Sequence, residues 1–380
     1  MTQGSNATDA LAKYDQRALT VCSIGSHSAL DVCLGGKRQG LRTLVVASRG
    51  REKTYDTYYR TRDDGGCVDE TIVLAQFADV LDSAVQQDLL SRNVIFVPNR
   101  SFEVYLRQRY SYDEIEAGML VPFFGSRRLL RAEERGEDSP DDQYSLLDRA
   151  GIRYPRRLSG PPDIDGLTIV KAPHAKVSFE RAFFLTTDPL HYRERSAELV
   201  ERGVVTLDGL AKAVFEEYVI GPTVNLNFFW SPITDELELL GTDTRRQTDI
   251  DGARSLLARE QAALGDGYVP GMEEAGHIAT TLTESMLEQA FAMGSRFVAA
   301  AREAIPPGII GPFALQCIIA SGPPKSFVVY DVSLRIPGSP GTKYTPYSAY
   351  RWGAEMSVGE RIAKEIAMAR DAGRLADVCT

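Results

Sequence analysis

The sequence predicts an α/β protein, and three observations carry that expectation. Residues 19–47 read as strand, turn, helix, strand. A further apolar strand of the same type stands at residues 94–97. From residue 215 onward the pattern becomes strand-rich. Strand–helix–strand units bury both faces of a parallel sheet under helices, so the first part of the chain should hold such a sheet.

In chain order, residues 19–24 form a short β-branched and apolar run, broken by Gly25-Ser26-His27-Ser28. Residues 29–40 carry helical spacing through Leu30, Val32 and Cys33, and residues 42–47 are apolar again. Residues 127–144 are charged and read as a helix followed by a solvated linker. A short helix at 145–150 stops at Gly151, and 155–162 is a proline-rich connection. Strands at 167–171 and 183–186 with a helix at 190–202 make a small middle domain. Apolar runs at 215–220, 224–230 and 237–241 are strands, and a long helix at 284–304 ends at Pro306-Pro307-Gly308. Residues 311–320 and 326–332 are spaced as an antiparallel pair around Gly322-Pro323-Pro324, and a last helix covers 358–372. The expected domains are 1–125, 126–214 and 215–380.

Composition narrows the function classes. The 380 residues are 43% hydrophobic and 25% charged, as in a soluble globular protein. No run of about 18 apolar residues suggests a membrane span, and the polar N-terminus is not a secretory signal. A net charge of −9 without a dense basic stretch argues against nucleic acid as the main partner. Five scattered cysteines fit reduced, buried thiols and a cytoplasmic location, and four unpaired histidines leave little room for zinc. Only nine of the 43 basic residues are lysines, so a lysine inside an apolar run is informative.

Four short stretches are chemically suggestive. Gly25-Ser26-His27-Ser28 lies between the first strand and first helix, where an α/β sheet binds anions; a serine there also serves simply as a helix cap. The spaced glycines of a dinucleotide fingerprint are missing, which excludes a nicotinamide cofactor. Lys171 ends an apolar strand, where it either reaches phosphates or stands in water. Glu216 and Glu217 precede an apolar segment, as ribose ligands or as the polar face of a strand. Alternation puts Asp331, Ser333 and Arg335 on one strand face, and Gln316 falls on the adjacent predicted strand. Those oxygens suit Mg²⁺, and the competing reading is an Asp331–Arg335 surface ion pair.

The order of these stretches resembles the archaeal formate-dependent FAICAR synthetase family, ATP-grasp ligases that formylate an aminoimidazole carboxamide ribonucleotide. The resemblance runs from about residue 20 to 372. It rests on Ile24-Gly-Ser-His27-Ser-Ala-Leu30, Leu120-Val-Pro-Phe-Phe-Gly-Ser-Arg127-Arg128 and Ile164-Asp-Gly-Leu-Thr-Ile-Val-Lys171. Further matches are Glu216-Glu-Tyr-Val-Ile-Gly221, Pro306-Pro-Gly-Ile-Ile-Gly-Pro-Phe313 and Asp331-Val-Ser-Leu-Arg335. It implies an ATP-grasp fold behind an N-terminal Rossmann-like domain, ATP and Mg²⁺ as cofactors, and a homo-oligomer with small-molecule carboxylate and amine substrates.

By position, the resemblance implies that Lys171 and Lys176 contact ATP phosphates while Glu216, Glu217, Tyr218 and Val219 line the adenine and ribose site. Gln316 and Asp331 would hold Mg²⁺. His27, with Ser26, Ser101 and Arg245, would form the acceptor pocket, and Lys171, Arg335 and Arg245 would serve catalysis. The chemistry is attack of a carboxylate on the γ-phosphate of ATP, then of an amine on the acyl phosphate. Removing Lys171 or Asp331 would then damage chemistry more than folding.

Several positions depart from the family pattern. The loop at 172–181 contains no glycine; Asn99 and Arg100 replace histidine and glycine; Asp331 replaces glutamate; Asn227 replaces histidine; and the tail after Arg335 is shorter. These changes surround the expected ligand pockets. They point first to a ligase of the same mechanism redirected to another carboxylate or amine, and second to FAICAR synthetase proper. A third reading, of a different class, is a nucleotide-binding protein that has lost catalysis.

Overall fold

A computed structural model of the chain describes residues 4–133, 141–173, 175, 181–265 and 274–380. Among them lie three sheets. The first joins β1 (Thr20–Ile24), β2 (Arg42–Ser48), β3 (Glu70–Leu74) and β4 (Val94–Phe96) in the order β3-β2-β1-β4, all parallel. The chain leaves β1 toward β2 and β3 and then crosses back to β4. The order therefore reverses between β1 and β4, the place where open α/β sheets leave a crevice beyond the strand ends. The expected parallel sheet is present; β3 is an addition, partly exposed and less apolar, hence hard to read from patterning.

The second sheet holds β5 (Arg157–Leu158), β6 (Thr168–Pro173), β7 (Arg181–Thr186) and β8 (Val214–Glu217) in the order β5-β8-β6-β7, antiparallel throughout. The strand expected at 215–220 thus ends early and pairs with β5 and β6, not with the strands that follow it. Val170, Ala172, Phe184 and Phe215 bury one face of this sheet with Tyr192 and Leu199 of helix Pro189–Glu201.

The third sheet is the largest: β9 (Thr223–Ser231), β10 (Glu236–Gln247), β11 (Glu274–Thr280), β12 (Gly311–Ala320) and β13 (Ser326–Ser333), ordered β11-β10-β9-β12-β13 and antiparallel. Strand alternation divides its faces. Val224, Leu226 and Phe228 pack with Phe313 and Leu315 against Phe297 of helix Leu287–Ala304, while Asn225 and Asn227 point the other way.

Helix Val358–Asp371 couples the first sheet to the third. Its Ile362 and Ile366 share a buried cluster with Val21, Val32, Ile95 and Phe229. Gly359 meets helix Ala29–Arg38 so closely that a Cβ there would lie 2.4 Å from the Asp31 carbonyl carbon. The Asp31 carboxylate accepts hydrogen bonds from Ser357 Oγ (2.5 Å) and Gly359 N (2.8 Å), which pins the helix start.

Of the charged run at 127–144, the helical part is largely buried, and most of the expected linker lies outside the described residues. Residues Arg127–Glu133 form a 3₁₀ helix, and residues 134–140 lie outside the described set. Arg127 is buried and donates to the carbonyls of Glu116 and Met119 at 3.1 and 2.6 Å, and burial pulls its pKa down to about 10. The charge of Arg127 marks internal bonding to carbonyls, which composition does not distinguish from solvation.

Candidate active site

The second and third sheets, with the loop after β1 and the helical segment after β4, line a cleft of about 1460 Å³. A pocket for one drug-sized ligand takes roughly 300–1,000 Å³, so this one has room for two. Its floor is the polar face of the third sheet. Asp331, Gln316, Asn225 and Asp243 stand in register on β13, β12, β9 and β10. Arg245 and His277 pair one step along β10 and β11. Polar residues alternating with Val, Leu and Phe along β9 were the available sequence signal for this row, and it passed unused.

At one end of the cleft stands Lys171. It is 6% exposed, and its Nζ donates to Glu216 Oε2 at 2.5 Å. Tyr144, from helix Gln143–Arg149, donates to the other Glu216 oxygen. Lys171 is therefore neither a strand-end lysine in water nor removable without consequence for folding, because Glu216 is 1% exposed. The Glu216 carboxylate lines the cleft and is engaged by Lys171 and Tyr144. Glu217, Tyr218 and Val219 line the cleft beside it, with Glu217 N bonded to Arg156 O and Tyr218 N to Leu167 O. Lys176 lies outside the described residues.

In the middle of the floor, Gln316 Nε2 donates to Asp331 Oδ2 (2.9 Å), and Gln316 Oε1 accepts from Arg245 Nη2 (3.0 Å). Among the described residues no three His, Cys, Asp or Glu side chains gather into a ready-made metal cage. One carboxylate with neutral oxygens from Gln316 and Ser333 instead suits Mg²⁺, which completes its octahedron with water and phosphate oxygens. The residues fit the ion, with one condition: the Gln316 amide must turn over so that its oxygen faces Asp331.

Arg335 does not pair with Asp331. Its Nη2 donates to Glu133 Oε2 at 3.2 Å, and its Nε is buried without a hydrogen-bond partner. Glu133, which sequence reasoning missed, also accepts from Leu334 N (2.6 Å), and Arg100 Nη1 lies 3.4 Å from it. Burial raises the Glu133 pKa, and the Arg335 and Arg100 charges oppose that rise only in part.

At the far end, the loops after β1 and β4 flank the crevice. Asn99 donates to the carbonyls of Ile24 (2.9 Å) and His27 (2.8 Å), and Ser101 Oγ donates to Ser26 Oγ (2.6 Å). His27 lines the cleft, whereas Ser26 and Ser101 sit behind it. Ser28 starts the helix in a left-handed conformation (φ 64°) without capping it; its hydroxyl donates to Pro337 O at 2.9 Å.

Opposite His27, the His277 imidazole lies between two carboxylates: Nδ1 3.2 Å from Asp243 and Nε2 2.9 Å from Glu274 Oε1. Asp243 is fully buried and accepts from Asn225 Nδ2 at 2.7 Å. Burial by itself would lower the His277 pKa, but the bonds and charges of Asp243 and Glu274 prevail and raise it to about 9. A pKa raised above the unfolded value of about 6.5 stabilises the fold fully below pH 6.5 and loses that contribution as pH climbs through 9. The stability gap between wild type and His277→Gln, read by urea unfolding, should therefore shrink from pH 6.5 to 9.

Known proteins carry the same organisation. The descriptions "Domain of unknown function (DUF1297)" and "Protein of unknown function (DUF1246)" match residues 191–380 and 21–158. The 5-formaminoimidazole-4-carboxamide-1-(beta)-D-ribofuranosyl 5'-monophosphate synthetase of Methanopyrus kandleri is 38% identical over 97% of both chains. The chain belongs to this FAICAR synthetase family. A crystal structure of the IMP biosynthesis protein PurP from Thermococcus kodakaraensis superposes with a TM-score of 0.70 at 28% identity, covering 95% of this chain and all of that one. An N5-carboxyaminoimidazole ribonucleotide synthetase solved as its ADP complex shares the fold at TM-score 0.57 and 9% identity, over 92% of this chain and 77% of that one. Within the FAICAR synthetase family the chain is a ligase with the ATP-grasp fold that forms a C–N bond.

Proposed function

We propose that the chain is FAICAR synthetase proper, joining formate to the amine of 5-aminoimidazole-4-carboxamide ribonucleotide at the expense of ATP. The observation that supports this most is the continuity of the cleft. One cavity runs from the Lys171 end across Gln316 and Asp331 to His27, so a nucleotide and an acceptor share it. The relatives' printed name favours formate over the redirected carboxylate or amine that the departures from the family pattern first suggested.

In this reading Lys171 holds the ATP phosphates, and Glu217, Tyr218 and Val219 flank the base and ribose. Glu216 orients Lys171. Asp331 and Gln316 would hold Mg²⁺, which neutralises phosphate charge when bound. Arg335 and Arg245 face the negative charge that develops as phosphoryl transfer proceeds, a step governed by positioning and charge. His27, backed by Ser26 and Ser101, lies at the acceptor end. The phosphoryl group passes to formate, the amine attacks the formyl carbon, and phosphate leaves.

The three domains 1–125, 126–214 and 215–380, a cytoplasmic location and assembly of several copies belong to the same reading. Five buried, free cysteines support a reducing compartment, and no helix among the described residues is long and apolar enough to cross a membrane. The test is ADP release with purified protein. It should require formate and the aminoimidazole ribonucleotide together. Turnover that ignores formate but follows a larger carboxylate would return the redirected reading.

A further inference from the structure

Amide formation leaves a proton to be placed. When the acceptor nitrogen bonds to the acyl carbon, the carbon–oxygen bond to phosphate breaks and phosphate departs with that electron pair. The former amine carries a proton that must move to a base, and a positioned side chain gains about 10²–10⁴-fold by taking it. Among the described residues, the acceptor end of the cleft offers two imidazoles. His277 is held as a cation between Asp243 and Glu274 and has no lone pair to offer at neutral pH. His27 stands at the reversal point of the first sheet, in the loop after β1, and its ring faces the cleft.

The surroundings of His27 fix it from two sides. Its Nε2 lies 3.7 Å from Glu274 Oε1, the oxygen that also meets His277 Nε2 at 2.9 Å. The second Glu274 oxygen lies 3.2 Å from Arg245 Nε. Glu274 is thus anchored by two cations on neighbouring strand positions and reaches across the cleft toward the first sheet. On the other side, Gly338 presses against the ring: a Cβ there would sit 2.3 Å from His27 Nδ1. The Ser28–Pro337 hydrogen bond ties this second loop to the first.

We propose that His27 accepts the proton of the attacking amine, and that Glu274 is the positioning carboxylate that holds the ring and stabilises the imidazolium formed on it. The carboxylate–imidazole arrangement works as in other general-base pairs, where the carboxylate orients the ring and offsets its new charge. His277 and Arg245 keep Glu274 in place, and Gly338 leaves the space the ring occupies. Among the described residues, the charged and titratable groups facing His27 are Glu274 and His277 from β11, Arg245 from β10 and Arg335 from the loop after β13. Burial lowers the His27 pKa, Glu274 opposes that, and the cations add to it, so the free enzyme carries a neutral ring ready to take a proton. The proton then passes to solvent, and the ring returns to its neutral form.

This inference rests on the ligase reading above, so its test has two parts. Glu274→Gln and Gly338→Ala should each lower kcat about 10–100-fold with KM for the ribonucleotide nearly unchanged. In Glu274→Gln the acid limb of the kcat profile should also move to lower pH, because His27 has lost its anionic neighbour. Independently of any substrate, ¹⁵N shifts of labelled histidine should show the His27 pKa falling in Glu274→Gln, because the carboxylate that raises it is gone. The ring's 45% exposure keeps that shift modest. An unchanged His27 pKa would overturn the proposal, as would wild-type kcat and pH profile in both variants. If the wild-type protein formylates nothing, the ligase reading fails, and the histidine titration alone decides whether Glu274 governs His27.

Discussion

Replacing Lys171 by methionine should slow amide formation by about 10²–10³-fold and, in the same variant, destabilise the fold. The chemical loss follows from removing the cation that the cleft offers to phosphates, and clamps of that kind contribute about 10²–10³-fold in rate. The folding loss follows from Glu216, 1% exposed and left with Tyr144 alone of its two described donors. Breaking a buried pair by deleting one partner costs about 3–5 kcal/mol. This amends the expectation from the sequence that Lys171 matters to chemistry more than to folding. The two effects separate in the double variant Lys171→Met with Glu216→Leu. With no buried charge left, its urea midpoint should return toward the wild-type value while turnover stays as slow as in the single variant. Recovery of activity in the double variant, or an unchanged midpoint in the single one, would contradict this account of Lys171.

The second large effect lies away from the cleft. Arg361→Met should leave the chain unable to hold its native structure at 37 °C. Arg361 is fully buried; its Nη2 donates to Glu238 at 2.7 Å and its Nη1 to Glu365 at 2.8 Å. Trp352 Nε1 donates to Glu238 (2.8 Å), Ser231 Oγ donates to Glu365 (2.7 Å), and the guanidinium lies 4.2 Å from the Phe229 ring centre. One planar cation thereby neutralises two buried carboxylates and ties helix Val358–Asp371 to β9 and β10. Its loss should cost at least about 3–5 kcal/mol, against a total stability of about 5–15 kcal/mol for a typical native protein. Arg361→Lys should recover only part of this, since an ammonium lacks the fork that serves both carboxylates. Soluble yield and urea unfolding measure both, and a wild-type midpoint for Arg361→Met would contradict the role assigned to the network.

The sequence announced most of the fold because the elements that build it are patterned simply. β12 spans Gly311–Ala320, the expected bounds, and helix Leu287–Ala304 lacks only a 3₁₀ turn at the start of the expected span. β8 was misplaced because a strand's apolar run does not say which sheet will pair with it. The site was legible in pieces. Lys171, Gln316, Asp331, Arg335 and His27 stood out where charge or polarity interrupts an apolar run. Glu133, Asp243, Glu274 and His277 did not, since their meaning comes from partners up to 247 positions away in the chain or from a neighbouring strand. Arg335 shows the limit of periodicity: alternation put it beside Asp331, but β13 ends at Ser333, and the side chain turns to Glu133.

The most direct test of the central claim follows the oxygen atoms. Formate labelled with ¹⁸O should be incubated with the protein, ATP, Mg²⁺ and the aminoimidazole carboxamide ribonucleotide, and both products weighed by mass spectrometry. Transfer through a formyl phosphate should give a formylated ribonucleotide, one ADP per turnover, and inorganic phosphate carrying one ¹⁸O from formate. A formylated product with unlabelled phosphate would contradict the acyl-phosphate route, and no formylated product would contradict the substrate assignment itself.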